Sequence, residues 1–249
     1  MTVDDIVAAL ALPRESRVDQ RVSKKLLIEN GAPTSSDRKK IQEGIEELRW
    51  MAAVKPTNSG VPAYRDADRE VLEIAVVTLA LRPEGESSRL ARLVHRAIPY
   101  PVLLIATMKD SLGISVARKR LSQNEGGKVV LEANVVSCDL TDNPSTPAFV
   151  QSLALAMQPR GSLLSVYDGW QACLEAFQAA QITGRYVVAP SVESANLRRE
   201  SLARHEQSRR KIARLRAAAL RESQLNRRVE LNLAIRKLEA ELAETRVDL

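Results

Sequence analysis

A chain of 249 residues that is 45% hydrophobic and 27% charged can build one sizeable core or two modest ones, and its longest apolar runs, Ile74 to Leu81 and Ile98 to Met108, are far shorter than the roughly 20 residues of a membrane-spanning helix. The acidic start MTVDDIVAALALPRE is unlike a secretory signal. Two isolated cysteines, Cys138 and Cys173, supply neither a disulfide framework nor a zinc knuckle, so a cytoplasmic protein without a membrane segment, resident metal or cofactor is expected. The formal charge of +6 is confined to one end: residues 194–249 hold 14 Arg and Lys against 8 Asp and Glu, whereas residues 1–193 hold 23 of each sign.

The body reads as α/β (α+β). TSSD, residues 34–37, offers helix caps, and Ile41, Ile45 and Leu48 at i, i+4 and i+7 predict a short amphipathic helix. Trp50 to Lys55 follows as an edge strand stopped by Pro56. VLEIAVVTLAL, residues 71–81, is apolar on both alternating faces, as a strand inside a sheet must be. Ser87 or Ser88 caps a helix presenting Leu90, Leu93, Val94 and Ala97, and PYPVLLIATM returns as a second strand, completing a β-α-β unit. The dipeptides Ile98-Pro99 and Tyr100-Pro101 impose an extended approach to that strand, and either bond is a candidate for the cis form. Gly113 to Leu121 and Lys128 to Cys138 form an antiparallel meander around the turn QNEGG. Beyond DNPSTP, helices are predicted about Ala148 to Met157 and Leu163 to Ala180, the second with a core stripe of Trp170, Leu174 and Phe177.

Pro190 is the last proline and Gly184 the last glycine, so residues 191–249 read as one long helix appended to a body of residues 1–190. From Val192 to Glu244 it would reach roughly 80 Å. Steps of 100° separate two apolar stripes, Leu220, Leu231, Ile235, Leu238 and Leu242 on one side and Leu215, Ala218, Val229 and Leu233 nearly opposite. One stripe suffices for a two-stranded coiled coil, so two imply a helix sandwiched between covers, with Leu220, Leu231, Ile235, Leu238 and Leu242 as the partner interface and Gln224 and Asn226 available to set register. Arg210, Arg214 and Arg221 lie within about 60° of one another, a face suited to phosphates. The eight aromatics are absent from this segment, which excludes a stacking platform for single-stranded bases there.

Signatures of common chemistry are missing. No GxxxxGK[ST], GxGxxG or GxSxG occurs, and the two histidines, His95 and His205, lie far apart in the chain. Glu73 on the central strand and Lys119 on a neighbouring one are the residue types of a metal-dependent nuclease, a carboxylate to hold the ion and a lysine to steady the attacking water, but the close acid-x-lysine pairing is lacking. Arg118 and Arg120 share one face of a strand and Lys119 takes the other; they read either as a charged guard on an edge or as a phosphate-contacting rim. His95 and Arg96 read as a C-terminal helix cap, with a ligand role as the alternative.

The segments ALPRESRVDQRVSKKLLIENG, SDRKKIQEGIEELRWMAAVKP, HRAIPYPVLLI, ISVARKRLSQNEGGKVVL, ITGRYVV and ESQLNRRVELNLAIRKLEAEL, in this order between about Leu10 and Leu242, resemble the uncharacterised bacterial family catalogued as domain of unknown function 4391. Arg118 stands where that family leads one to expect a histidine before the lysine. The resemblance implies a bacterial cytoplasmic protein encoded near DNA helicases and DNA methyltransferases in phage-defence or restriction-like clusters. The resulting expectation is a non-enzymatic accessory subunit that docks through its C-terminal helix onto a helicase, a methyltransferase or a second copy and contacts DNA. A nuclease around Glu73 and Lys119, or a purely structural oligomer, are the rival readings.

Overall fold

The computed structural model describes residues 1–109, 111–122 and 129–244. In chain order the elements are α1 (Val3–Ala9), β1 (Arg17–Arg21), α2 (Lys24–Gly31), α3 (Ser35–Gly44), β2 (Ile45–Val54), α4 (Pro56–Ser59), β3 (Tyr64–Arg65), β4 (Glu70–Val71), β5 (Ile74–Leu81), α5 (Ser87–Ala97), β6 (Val102–Met108), β7 (Ser111–Val116), β8 (Lys119–Leu121), β9 (Val129–Leu131), β10 (Val136–Asp139), α6 (Thr146–Ser152), α7 (Leu163–Thr183), α8 (Val192–Arg221) and α9 (Leu225–Glu244). Six strands form a mixed sheet in the order β1-β2-β5-β6-β7-β10, parallel only between β5 and β6 and antiparallel elsewhere. The pairs β3–β4 and β8–β9 are separate two-stranded sheets. This is the mixed α/β class with a β-α-β unit, β5-α5-β6. The chain divides into two compact units, Met1–Leu174 and Glu175–Leu249, with the boundary inside α7.

In the first unit, β5 sits where its double-sided apolar pattern demands, between β2 and β6. Ala75, Val77, Leu79 and Leu81 point to one face together with Val102 and Leu104 of β6, and Leu27, Ile41, Leu90, Leu93, Val94 and Ala97 complete that layer of the core. Val76, Leu103 and Ile105, pointing the other way, are equally buried. Helices α2 and α5 approach closely because Gly31 has no side chain: a Cβ there would stand 2.7 Å from Cβ of Ala97. Thr34, one of the expected caps, starts α3 by accepting from the amide of Asp37. Its hydroxyl also donates to the Asp37 carboxylate, which takes two further bonds from Arg89, at 2.8 and 2.7 Å. The Thr34 hydroxyl, and then Arg89, hold the Asp37 carboxyl below its usual range. A buried acid is thereby fully compensated by a bidentate partner.

Local spacing misplaces several boundaries. Ile45 and Leu48 leave the predicted helix and open β2, because α3 ends at Gly44 and the following residues pair with β5. That strand, predicted as an edge from Trp50, is interior, flanked by both β1 and β5. The predicted strand from Gly113 to Leu121 is two strands, β7 and β8, and the one ending at Cys138 is β9 and β10; the QNEGG turn lies outside the described residues. Neither Ile98-Pro99 nor Tyr100-Pro101 is cis.

In the second unit the expected single rod is interrupted at Glu222–Gln224, leaving α8 and α9 packed on each other. No glycine or proline is needed: Glu222 turns extended, at φ −78° and ψ 123°, and its carboxylate accepts from the amide of Gln224 at 2.8 Å. Folding back costs a few residues of helix but covers apolar surface that a rod would leave in water. Ile212, Ala219 and Ile235 are buried, Leu231, Leu238 and Leu242 are half-buried, and Arg216 crosses to Glu239 at 2.5 Å. Ser191 caps α8, and Arg199 donates to the Glu175 carboxylate at 2.7 Å.

Replacing Val77 or Leu79, each 1% exposed, with Asp would put an unpaired carboxylate into the centre of the first unit. The expected outcome is destabilisation of at least roughly 4 kcal/mol and loss of the parental unfolding transition, read by circular dichroism on heating.

Candidate functional site

The first unit gathers its unusual chemistry where β6 starts and β7 ends. Ile98 is extended, and the chain then bends at Pro99 and Tyr100 before β6, so the carbonyls of Ile98 and Tyr100 lie outside the ladder. Lys119 turns inward from β8 and donates to both of them, at 2.6 Å to Ile98 and in a short contact to Tyr100. Burial pushes its amine down from the usual lysine range to about 7. His95, on the buried side of α5, meets the Ser115 hydroxyl through Nε2 at 3.0 Å, while its Nδ1 has no hydrogen-bond partner among the described residues. Burial, and then the neighbouring Lys119, hold this imidazole neutral, well below its ordinary pKa. The Tyr167 hydroxyl, from α7, accepts from the amide of Ala117 at 2.8 Å and faces the carbonyls of Val102 and Ala117 at 2.9 and 3.1 Å. Burial moves that phenol upward.

A narrow cleft opens beside Lys119, lined also by Arg69, Pro101, Arg118, Tyr167 and Asp168. It holds about 20 Å³, room for about one water molecule rather than a substrate. Its cations are already engaged. Arg69 donates to Glu132 at 2.7 Å, and Arg118 donates to Asp168 at 2.8 Å and to Gln171 at 3.1 Å. Arg118 thereby ties the approach to β8 to α7, and Arg69 ties the turn between β3 and β4 to the residue after β9.

The sequence-derived candidates each have partners of their own. Glu73 lies just before β5, 8% exposed, and its carboxylate is paired with the Lys55 ammonium at 3.1 Å. Lys119 has its own partners in the two carbonyls. Among the described residues, no three or more His, Cys, Asp or Glu side chains are placed to hold a metal ion. Arg118 precedes β8 in an ion pair, and Arg120 is half-buried with one guanidinium nitrogen on the Leu121 carbonyl. His95 is no helix cap: it is fully buried, because it lies four residues after Ala91 on the inward stripe of α5.

The second unit presents different features. Helix α8 carries nine Arg and Lys against three Glu, while α9 carries four against four, so the surplus charge of the chain resides on α8. Arg210, Arg214 and Arg221 are exposed and lie on the side of α8 opposite Ile212 and Ala219. Arg210 pairs with Glu206 at 2.7 Å; Lys211, Arg214 and Arg221 make no ion pair among the described residues. Of the apolar residues assigned to a partner interface, Leu231, Ile235, Leu238 and Leu242 lie on the shielded side of α9, and Leu220 is 89% exposed beside the turn. Gln224 and Asn226 fall in and just after that turn. The large apolar side chains left open on α9 are Leu225, Val229 and Leu233, and on α8 Val192, Leu197 and Leu220.

These features define a mixed α/β protein with a basic, partly apolar helical hairpin. The chain belongs to the family described as domain of unknown function DUF4391, which matches residues 10–242. No curated protein and no solved structure matches it. No helix among the described residues is long and apolar enough to cross a membrane.

The buried lysine has a measurable signature. An unfolded chain keeps the Lys119 proton up to its ordinary pKa near 10.5, whereas the folded chain releases it near 7. The unfolded state thus binds more protons in that interval, and the folded state gains stability as pH rises through it, by at most about 1.4 kcal/mol per pH unit. Urea unfolding between pH 7 and 10 should show this rise in the parent and a smaller one in Lys119→Met, which removes the amine and keeps the length.

Proposed function

We propose that this protein is a non-enzymatic accessory subunit of a bacterial DNA-directed phage-defence or restriction-like assembly. In this reading the helical unit is the working part: α8 contacts DNA, and the exposed apolar surface of the hairpin docks onto a helicase, a methyltransferase or a second copy. The observation that carries it is the segregation of the whole surplus charge onto α8, with Arg210, Arg214 and Arg221 on its open side. Lysines and arginines arrayed along a helix neutralise phosphates and release counterions without reading sequence. The cleft beside Lys119 fits a structural role for that cluster, since it has room for about one water molecule and both of its arginines are paired with acids. The helicase and methyltransferase neighbourhood that the family resemblance implies supplies the setting.

Converting Arg210, Arg214 and Arg221 to Glu should weaken duplex binding in gel-shift titrations and lower the slope of log affinity against log salt by up to roughly 3, about one per lost phosphate contact. An unchanged affinity and slope would remove α8 from DNA binding. Plasmid incubated with the protein and magnesium or manganese should remain intact; nicking that disappears in Glu73→Gln and Lys119→Met would instead establish a nuclease.

A further inference from the structure

Helix α8 has no acid between Gln207 and Arg221, a stretch that holds six Arg and Lys. Gln207, Arg210, Arg214, Ala217 and Arg221, at i, i+3, i+7, i+10 and i+14, run down one line of the helix, and all five are exposed. Ala213 and Ala218, also exposed, stand on either side of that line. Ile212 and Ala219, buried in the hairpin, lie on the other side of α8, so α9 does not cover it. We propose that this stretch of α8 seats in the major groove of duplex DNA, a placement that rests on the DNA-contacting role of α8.

Size and charge together select this groove. In B-form DNA it is about 12 Å wide and admits one α-helix. A helix with its side chains is about 10 to 12 Å across, so close seating requires small residues where the helix meets the base edges. Ala213, Ala217 and Ala218 supply them, and the exposed Leu197 and Leu220 stand about 120° and 100° away from the line. Arg214 and Arg221 make no ion pair among the described residues. Arg210 gives its Nε to Glu206 at 2.7 Å in an exposed pair, a contact of little strength in water, and its Nη groups remain for phosphate or base acceptors. Lys211 and Arg209 lie on opposite flanks of the line, where the two phosphate walls of the groove would stand. Other nucleic acids fit less well. The major groove of A-form RNA is deep and narrow and closes to a helix. Residues 194–249 contain no aromatic side chain on which unpaired bases could stack.

The test fills the groove without touching the phosphates. The full chain is titrated at fixed salt against one duplex sequence in three forms: plain DNA, DNA whose cytosines carry a glucosyloxymethyl group at C5, which projects into the major groove, and the RNA duplex. The glucosylated DNA and the RNA should each bind at least roughly tenfold more weakly than plain DNA, although their phosphate charge is the same. Netropsin, which occupies the minor groove, should leave the affinity unchanged. Ala217→Trp with Ala218→Trp, which keeps the charge and thickens the helix, should weaken binding to plain DNA roughly tenfold while the helical circular dichroism signal stays intact. Equal affinity for plain and glucosylated DNA, equal or tighter binding of the RNA duplex, competition by netropsin, or indifference to the tryptophan pair each overturns the groove placement. In those cases loss of affinity and salt slope in the Arg210, Arg214 and Arg221 to Glu variant still leaves α8 as a phosphate contact, and the proposed function stands. A parent that binds none of the three duplexes overturns both.

Discussion

The parallel ladder between β5 and β6 is the constraint on which the first unit depends. Both strands are apolar on alternate faces, so neither can lie on a surface, and a parallel pair needs a crossover long enough to span the sheet. Helix α5 provides that crossover and covers one face with Leu90, Leu93, Val94 and Ala97. Its own seat depends on Gly31, which lets α2 press against it, and on the Arg89 to Asp37 pair, which ties it to α3. Antiparallel strands β2 and β7 then flank the pair, and β1 and β10 carry the edges.

Entering β6 through two proline dipeptides leaves carbonyls that the ladder does not use, and Lys119 answers them. A buried amine is costly to charge, yet two carbonyl acceptors reward each ammonium hydrogen they receive, so the residue joins β8 to the start of β6 as a polar latch. The His95 and Ser115 pair lies in the same enclosed environment, with the imidazole kept neutral beside the lysine. A deep pKa perturbation is often a sign of catalysis. Here two carbonyls hold Lys119 and acids hold Arg69 and Arg118, whereas His95 Nδ1 has no partner among the described residues.

The helical unit separates two kinds of surface that a single rod would have mixed. A rod of alternating stripes would show apolar and basic surface along one length. The turn at Glu222–Gln224 turns one stripe of α9 inward and leaves the basic side of α8 and the apolar outer side of α9 exposed on different helices. Charge surplus and charge neutrality fall on the same division, nine cations to three anions on α8 and four to four on α9.

Residue pattern by itself determined the mixed α/β class, the buried central strand at Ile74 to Leu81, the β-α-β unit, the Thr34 cap, and the segregation of charge beyond residue 193, because each of these follows from local periodicity or composition. The family resemblance was equally legible, carried by ordered segments from about Leu10 to Leu242. Tertiary structure alone decided the rest. Ile45 and Leu48 satisfy helical spacing, and only the ladder offered by β5 draws them into a strand. The break between α8 and α9 has no glycine or proline to announce it, since burying one stripe against another helix outweighs a few residues of helix propensity. Lys119 reads as a surface cation among arginines, and Glu73 as its neighbour in a site; in the fold Lys119 finds the Ile98 and Tyr100 carbonyls while Glu73 finds Lys55. Partners distant in sequence compete for each charge in three dimensions, and spacing along the chain carries no information about that competition.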